Sequence, residues 1–204
     1  MKNIAILATS LVLSSMACHA DSIKQASNNR VGTGTTDNRG TSLGINFVPP
    51  DEDGWKQTLK GLTVTLNKKE ALPGENREIE AYLMTPDNPD SPISTYIETM
   101  KKNTIDAYAN NKKFKIVTMD GAEDTKDSRC ARMHILLEEV QPTPTIHNNE
   151  KKFSEQYALS CRSSKRKNVG FEARYYHRYY ESNKDANLQQ KANQVLDSII
   201  IVDE

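Results

Sequence analysis

The chain has 204 residues, its 27 basic side chains balance 27 acidic ones, and its mean hydropathy is −0.70. Near-neutrality removes the electrostatic case for nucleic acid or an anionic membrane surface as a partner. No run is long enough to cross a bilayer, which takes about 20 apolar residues in a helix.

Met1-Lys2-Asn3 leads into an apolar run from Ile4 to Leu13 and then Ser14-Ser15-Met16-Ala17-Cys18-His19-Ala20. This charged, apolar, small-residue order is that of a secretory signal peptide. Small side chains three and one before the cut, Cys18 and Ala20, place cleavage before Asp21, so residues 1–20 form the expected leader. A competing cut before Cys18 would leave a lipid anchor on that cysteine, although Ser15 stands where that route prefers an aliphatic residue. The mature chain is therefore expected in the periplasm, with a lipoprotein anchored through Cys18 as the alternative. Losing Lys2 with the leader sets its net charge at −1.

Cleavage leaves Cys130 and Cys161. An exported chain meets oxidising machinery, so an even pair is most simply one disulfide. A cysteine zinc site wants four ligands and close spacing, and neither occurs here.

Residues 21–42 are rich in Ser, Asn, Thr and Gly and are expected to form a flexible tail, with one domain over 43–204. Gly44–Val48 reads as a strand stopped by Pro49-Pro50, and Asp51-Glu52-Asp53-Gly54 as a solvated turn lacking calcium-loop spacing. Alternation of Leu62, Val64 and Leu66, and again of Ile79, Ala81 and Leu83, predicts two half-buried strands. Ser91-Pro92 looks like a helix start, and the spacing from Ile93 through Tyr96, Ile97, Met100 and Thr104 to Tyr108 predicts an amphipathic helix. Phe114–Thr118 is a short strand, and Asp120–Arg129 a charged loop. Three strands follow, Cys130–Val140, Phe153–Arg162 and Val169–Tyr180, whose short polar links favour an antiparallel meander. Leu188, Ala192, Val195, Leu196 and Ile199 predict a second helix running into Ile200-Ile201-Val202.

If the cysteines pair directly across the first hairpin, Arg132 faces Leu159, His134 faces Tyr157, Leu136 faces Glu155 and Glu138 faces Phe153. Ala131, Met133, Ile135 and Leu137 then share the other side with Ala158 and Ser160, where the main helix-covered core is expected. Along the third strand, Glu172, Arg174, Tyr176, Arg178 and Tyr180 lie on one side and Phe171, Ala173, Tyr175, His177 and Tyr179 on the other. Arg174, Tyr176, Arg178 and Tyr180 are the candidate binding residues, because Arg and Tyr dominate interface hot spots. The plainer reading is a polar strand whose arginines find Glu172 or solvent.

The order of elements (strands, a central helix, antiparallel strands, a C-terminal helix) resembles the PsbP-like domains, a family that includes exported bacterial members. Phe47-Val48-Pro49-Pro50, followed by Trp55 and the strand Leu62–Leu66, is similar to how such domains begin. The resemblance implies an α+β fold of α/β/α sandwich type, an antiparallel sheet with both helices packed on it. It brings no functional residues with it.

His134, His147 and His177 remain in the mature chain; with the Ser163–Asn168 hairpin expected to pair Ala158 near Ala173, His134 and His177 fall on opposite faces, unable to share a metal. No nucleophile elbow, zinc-helix motif or phosphate loop is present. No catalytic residue, metal or cofactor is assigned. The expected role is that of a non-catalytic accessory or binding protein of the cell envelope, its partner another periplasmic protein. Two alternatives stand beside it: an immunity-type inhibitor of a secreted toxin, and a hydrolase with a dispersed active site.

Overall fold

The computed structural model describes residues 30–38, 40–140 and 150–204, so the expected leader at 1–20 and the loop carrying His147 lie outside the described residues. Alternating apolar residues build most of the larger sheet. In β4 (Thr63–Lys69) Val64 and Leu66 are buried, and in β5 (Asn76–Met84) Ile79 and Ala81. The edge strand β3 (Lys56–Lys60) precedes them, and β6 (Phe114–Glu123), β7 (Cys130–Glu139), β8 (Lys152–Arg162) and β9 (Gly170–Tyr180) follow. All pair antiparallel in the order β3-β4-β5-β9-β8-β7-β6. A second antiparallel sheet joins β1 (Val31–Thr36), β2 (Ser42–Phe47) and β10 (Ile200–Asp203). With helices α1 (Ile93–Ala109) and α2 (Leu188–Asp197), the fold is α+β, two helices packed on antiparallel sheets.

Cys130 and Cys161 are bonded and directly opposed, and every cross-strand pair expected from that bond is present. Arg162 N–H donates to Arg129 O beside them, which makes the cysteines a non-hydrogen-bonded pair, the closer of the two antiparallel spacings.

Five local expectations change. Val31–Thr36, read as tail, pairs along its whole length with β2. Its glycines explain how: a Cβ on Gly32 would sit 2.5 Å from Asn46 Cβ, so the two backbones approach where no larger residue fits. Lys56–Lys60 is a strand with no buried residue, hence without alternation to betray it. β6 continues through Asp120 to Glu123, past a bulge at Val117 that resets its facing parity. Ser91 does not cap α1; its hydroxyl donates to Asn88 O at 2.8 Å, and Pro92 holds the cap position. Ile200-Ile201-Val202 leaves α2 at Ser198 and pairs with β2.

The core is also distributed differently. On the face beneath α2, Leu159, Phe171, Ala173 and Tyr175 pack with β2 and with Leu188, Ala192, Val195 and Leu196 of α2 to form the larger cluster, which includes the disulfide. The Ala158 side, expected to hold the main core, carries the smaller one: Tyr96 and Ile97 of α1 over Ala131, Met133 and Ala158. Alternation assigns residues to a common face, but the area of cover decides which face becomes the main core. α1 seats closely where β6 has no side chain, since a Cβ on Gly121 would fall 2.8 Å from Ile97 Cγ2. It lies over β6 and β7 and leaves the β5–β9 portion of its face open.

The disulfide closes a loop between residues 31 apart. Replacing both cysteines with alanine should lower unfolding stability by about 4 kcal/mol on the chain-entropy relation, read from urea titrations. A loss below roughly 0.5 kcal/mol would show that the bond does not restrain the unfolded chain in this way.

Candidate functional site

The open part of the α1 face is a groove of about 370 Å³, lined by Arg174, Tyr176 and Arg178 of β9 with Asn76, Glu78 and Glu80 of β5 and Gln156 of β8. Period-2 geometry puts the β9 residues there, and β5 brings the two glutamates opposite them, Glu78 facing Tyr176 and Glu80 facing Arg174. Three of the four candidate binding residues thus converge. Tyr180 does not join them. It is 0% exposed at the end of β9, its ring lies under Lys152 Nζ at 4.8 Å, and its N–H donates to the buried Glu75 carboxylate. The parity was right, but the sheet end is covered by the β4–β5 turn.

Neither arginine in the groove is a free cation. Arg178 Nη2 donates to buried Glu139 at 2.6 Å, and Arg174 donates to buried Glu172 while its guanidinium sits 5.4 Å from the Tyr82 ring centroid. Tyr82 O–H completes the set by donating to Glu172 at 2.9 Å. Glu78 accepts from Asn67 Nδ2 at 3.0 Å. Burial pushes the Glu80 carboxyl above its ordinary range, and the neighbouring charge of Glu78 adds to the push. The lining charges of the groove balance, Arg174 and Arg178 against Glu78 and Glu80, but both arginines are already matched by Glu172 and Glu139, which leaves Glu78 and Glu80 as the carboxylates open to a ligand. It is therefore poorly suited to the carboxylate or phosphate that two arginines suggest in the sequence, and better suited to a cation. Arg178 is also structural, because truncating it would strand the Glu139 carboxylate.

The α2 face holds a second polar assembly that the sequence did not single out. Glu155, 4% exposed, accepts from Tyr157 O–H at 2.9 Å and Tyr179 O–H at 2.7 Å, and contacts His134 Nε2 at 2.9 Å. Burial opposes its ionisation, but these three partners prevail and hold the carboxyl down at about 2. His134 stacks on Tyr157, with 4.5 Å between ring centroids, and borders a cleft of about 530 Å³ between α2 and β6–β7. One signal could have revealed Glu155: a carboxylate at a position whose strand neighbours of the same parity are Phe153, Tyr157 and Leu159.

His177 lies opposite Glu155, on the same face as His134 rather than the opposite one. The reason is register: Ala158 pairs with Arg174, one residue beyond the expected Ala173, and a slip of one exchanges the faces. Among the described residues, no group of three or more His, Cys, Asp or Glu is arranged to hold a metal ion. Next to His177, Arg77 ion-pairs with Glu70 at 2.9 Å, Asp185 at 3.1 Å and Glu52 at 3.5 Å. Lys191 bonds Asp185 at 2.7 Å, and Lys68 bonds Glu52 at 2.8 Å, so the turn read as merely solvated is tied to β4, β5 and α2.

No protein-family model matches the sequence, and no curated protein matches it. Among solved structures, LpqN of Mycobacterium tuberculosis, described as involved in cell envelope biogenesis, aligns with a TM-score of 0.50 at 14% identity, over 86% of this chain and 92% of its own. The Ran-binding protein Mog1p of Saccharomyces cerevisiae aligns with a TM-score of 0.49 at 11% identity, over 84% of this chain and 96% of its own. The likeness to LpqN shows the fold. No helix of the described residues is long and apolar enough to cross a membrane.

Burial lowers the His177 pKa from 6.5 to about 4, and the Arg77 guanidinium lowers it further, so the folded state favours the neutral ring. The unfolded chain takes up the proton first as pH falls. The ring's contribution is thus fully present above about pH 6.5 and lost progressively down to about 4, a decline of about 3 kcal/mol. Glu155 adds its own loss from about pH 4.5 toward 2. Urea titrations from pH 7.5 to 4 should show a steeper fall for the native chain than for His177→Gln. Equal slopes would contradict a buried neutral histidine.

Proposed function

We propose that this chain is an exported, non-catalytic binding protein of the cell envelope that holds a protein partner against the Arg174–Tyr176–Arg178 groove. The observation that carries the reading is the uncovered sheet face beside α1, where the two arginines are pinned by buried carboxylates into a shaped surface. Pinned arginines and a tyrosine bonded to Ser154 at 2.6 Å offer contact groups at little further cost in side-chain entropy. Three features support the envelope setting: the leader-like order of residues 1–20, the Cys130–Cys161 bond, and the fold likeness to a protein involved in cell envelope biogenesis. Placement among the PsbP-like domains belongs to the same proposal.

The test is a photo-crosslinking residue at Tyr176, with a control at Gln57 on the exposed β3 edge. In living cells the Tyr176 position should give one discrete adduct in the periplasmic or envelope fraction that the control lacks, its protein identified by mass spectrometry. A chain retained in the cytoplasm, or identical products from both positions, would defeat the reading.

A further inference from the structure

The groove does not end at Arg174. Gln156 and Arg174 also line a cleft of about 230 Å³ that continues beneath α1, with Met84, Met100, Met133 and Ile135 on its walls. The two spaces thus adjoin across a shared pair of side chains, the first polar and charged, the second with methionines on its walls beside polar residues. Methionines make the apolar part adaptable, since an unbranched thioether can follow ligands of differing shape.

The charge of the combined site extends the trend already seen in the groove. Asp87, which accepts from Asn103 Nδ2 at 2.7 Å, lines the cleft together with Glu172. Lining the two spaces together are Arg174 and Arg178 against Glu78, Glu80, Asp87 and Glu172, a net excess of two negative charges. Among the described residues no hydrogen bond or close ion pair ties up Glu80, which is half-buried and faces Arg174 across the strands, so an incoming ammonium or guanidinium reaches it without breaking a hydrogen bond. An anionic ligand would meet this excess directly. A wholly apolar one would leave the carboxylates facing it without compensation for their lost water.

Resting on the reading of this face as a protein-binding groove, we propose that its occupant is a peptide segment with a basic side chain next to an aliphatic one. The Lys or Arg sits between Glu78 and Glu80, and the aliphatic side chain enters the methionine-lined cleft under α1. The segment lies across β9 and β8, spanning the two spaces where Gln156 and Arg174 meet. Charge complementarity sets the polarity of the partner, and the cleft sets its register.

The experiment is selection of the folded, disulfide-bonded chain against a displayed library of random heptapeptides, followed by fluorescence anisotropy with the best peptide. Enriched sequences should carry Lys or Arg within two residues of Leu, Ile, Met or Phe. Their binding should weaken at least tenfold in Glu78→Gln/Glu80→Gln and severalfold in Met100→Gln, and should decline with added salt. Circular dichroism and urea midpoints of each half-buried variant separate lost binding from lost folding, the two glutamate changes being expected to stay near native. Enrichment of acidic or uncharged peptides, no enrichment at all, or affinity unchanged in the double glutamine variant would each overturn the inference. These outcomes are separable from failure of the groove itself: a Tyr176-specific adduct in cells whose contacting segment is not basic sinks this inference and spares the other reading.

Discussion

One covalent constraint organises the molecule: the Cys130–Cys161 bond between directly opposed residues of β7 and β8. Strand side chains alternate with a period of 2, so fixing a single pair fixes the facing of every residue in both strands. From it follow the stacking of His134 on Tyr157, the burial of Glu155 among aromatic rings, and the emergence of Gln156 on the opposite face. β9 inherits this facing through its own pairing with β8, and that inheritance brings Arg174, Tyr176 and Arg178 to one groove.

The two faces of the sheet have become chemically different as a result. Beneath α2 and the small sheet, aromatic rings and aliphatic side chains enclose one buried carboxylate with three partners, an arrangement that stabilises because each oxygen is satisfied. Beside α1 the cover is incomplete, and the exposed strand surface is held by ion pairs instead. Those pairs bury one carboxylate each, Glu139 or Glu172, and hold the arginine above it. A surface built in this way keeps its shape without a partner and carries an acidic surplus, which is the physical basis for assigning it a basic, part-aliphatic occupant.

Much of this was legible in the residues, and the failures share a cause. The β7–β8 register followed from cysteine parity plus alternation, and three of the four β9 candidates reached a common groove because their spacing is even. Where no side chain is buried, as in Lys56–Lys60, or where glycine permits backbone contact, as at Gly32, pairing energy shapes the strand and hydropathy is silent. The β8–β9 hairpin differs by one residue from the pairing that alternation suggests, because Ser163 N–H donates to Val169 O and closes the turn so that Arg162 meets Gly170. That single step puts His177 on the face of His134. Tyr180 was lost for a different reason, since parity cannot reveal that the end of a strand is capped by a neighbouring turn.

The most direct measurement is a nuclear Overhauser map of Hα–Hα contacts in the oxidised protein. Non-hydrogen-bonded partners lie about 4.5 Å apart at Cα, close enough for strong signals. The account requires cross-peaks between Arg132 and Leu159, between His134 and Tyr157, and between Leu136 and Glu155. Cross-peaks displaced by one residue, such as His134 with Gln156 or Ala158, would exchange the faces and contradict it.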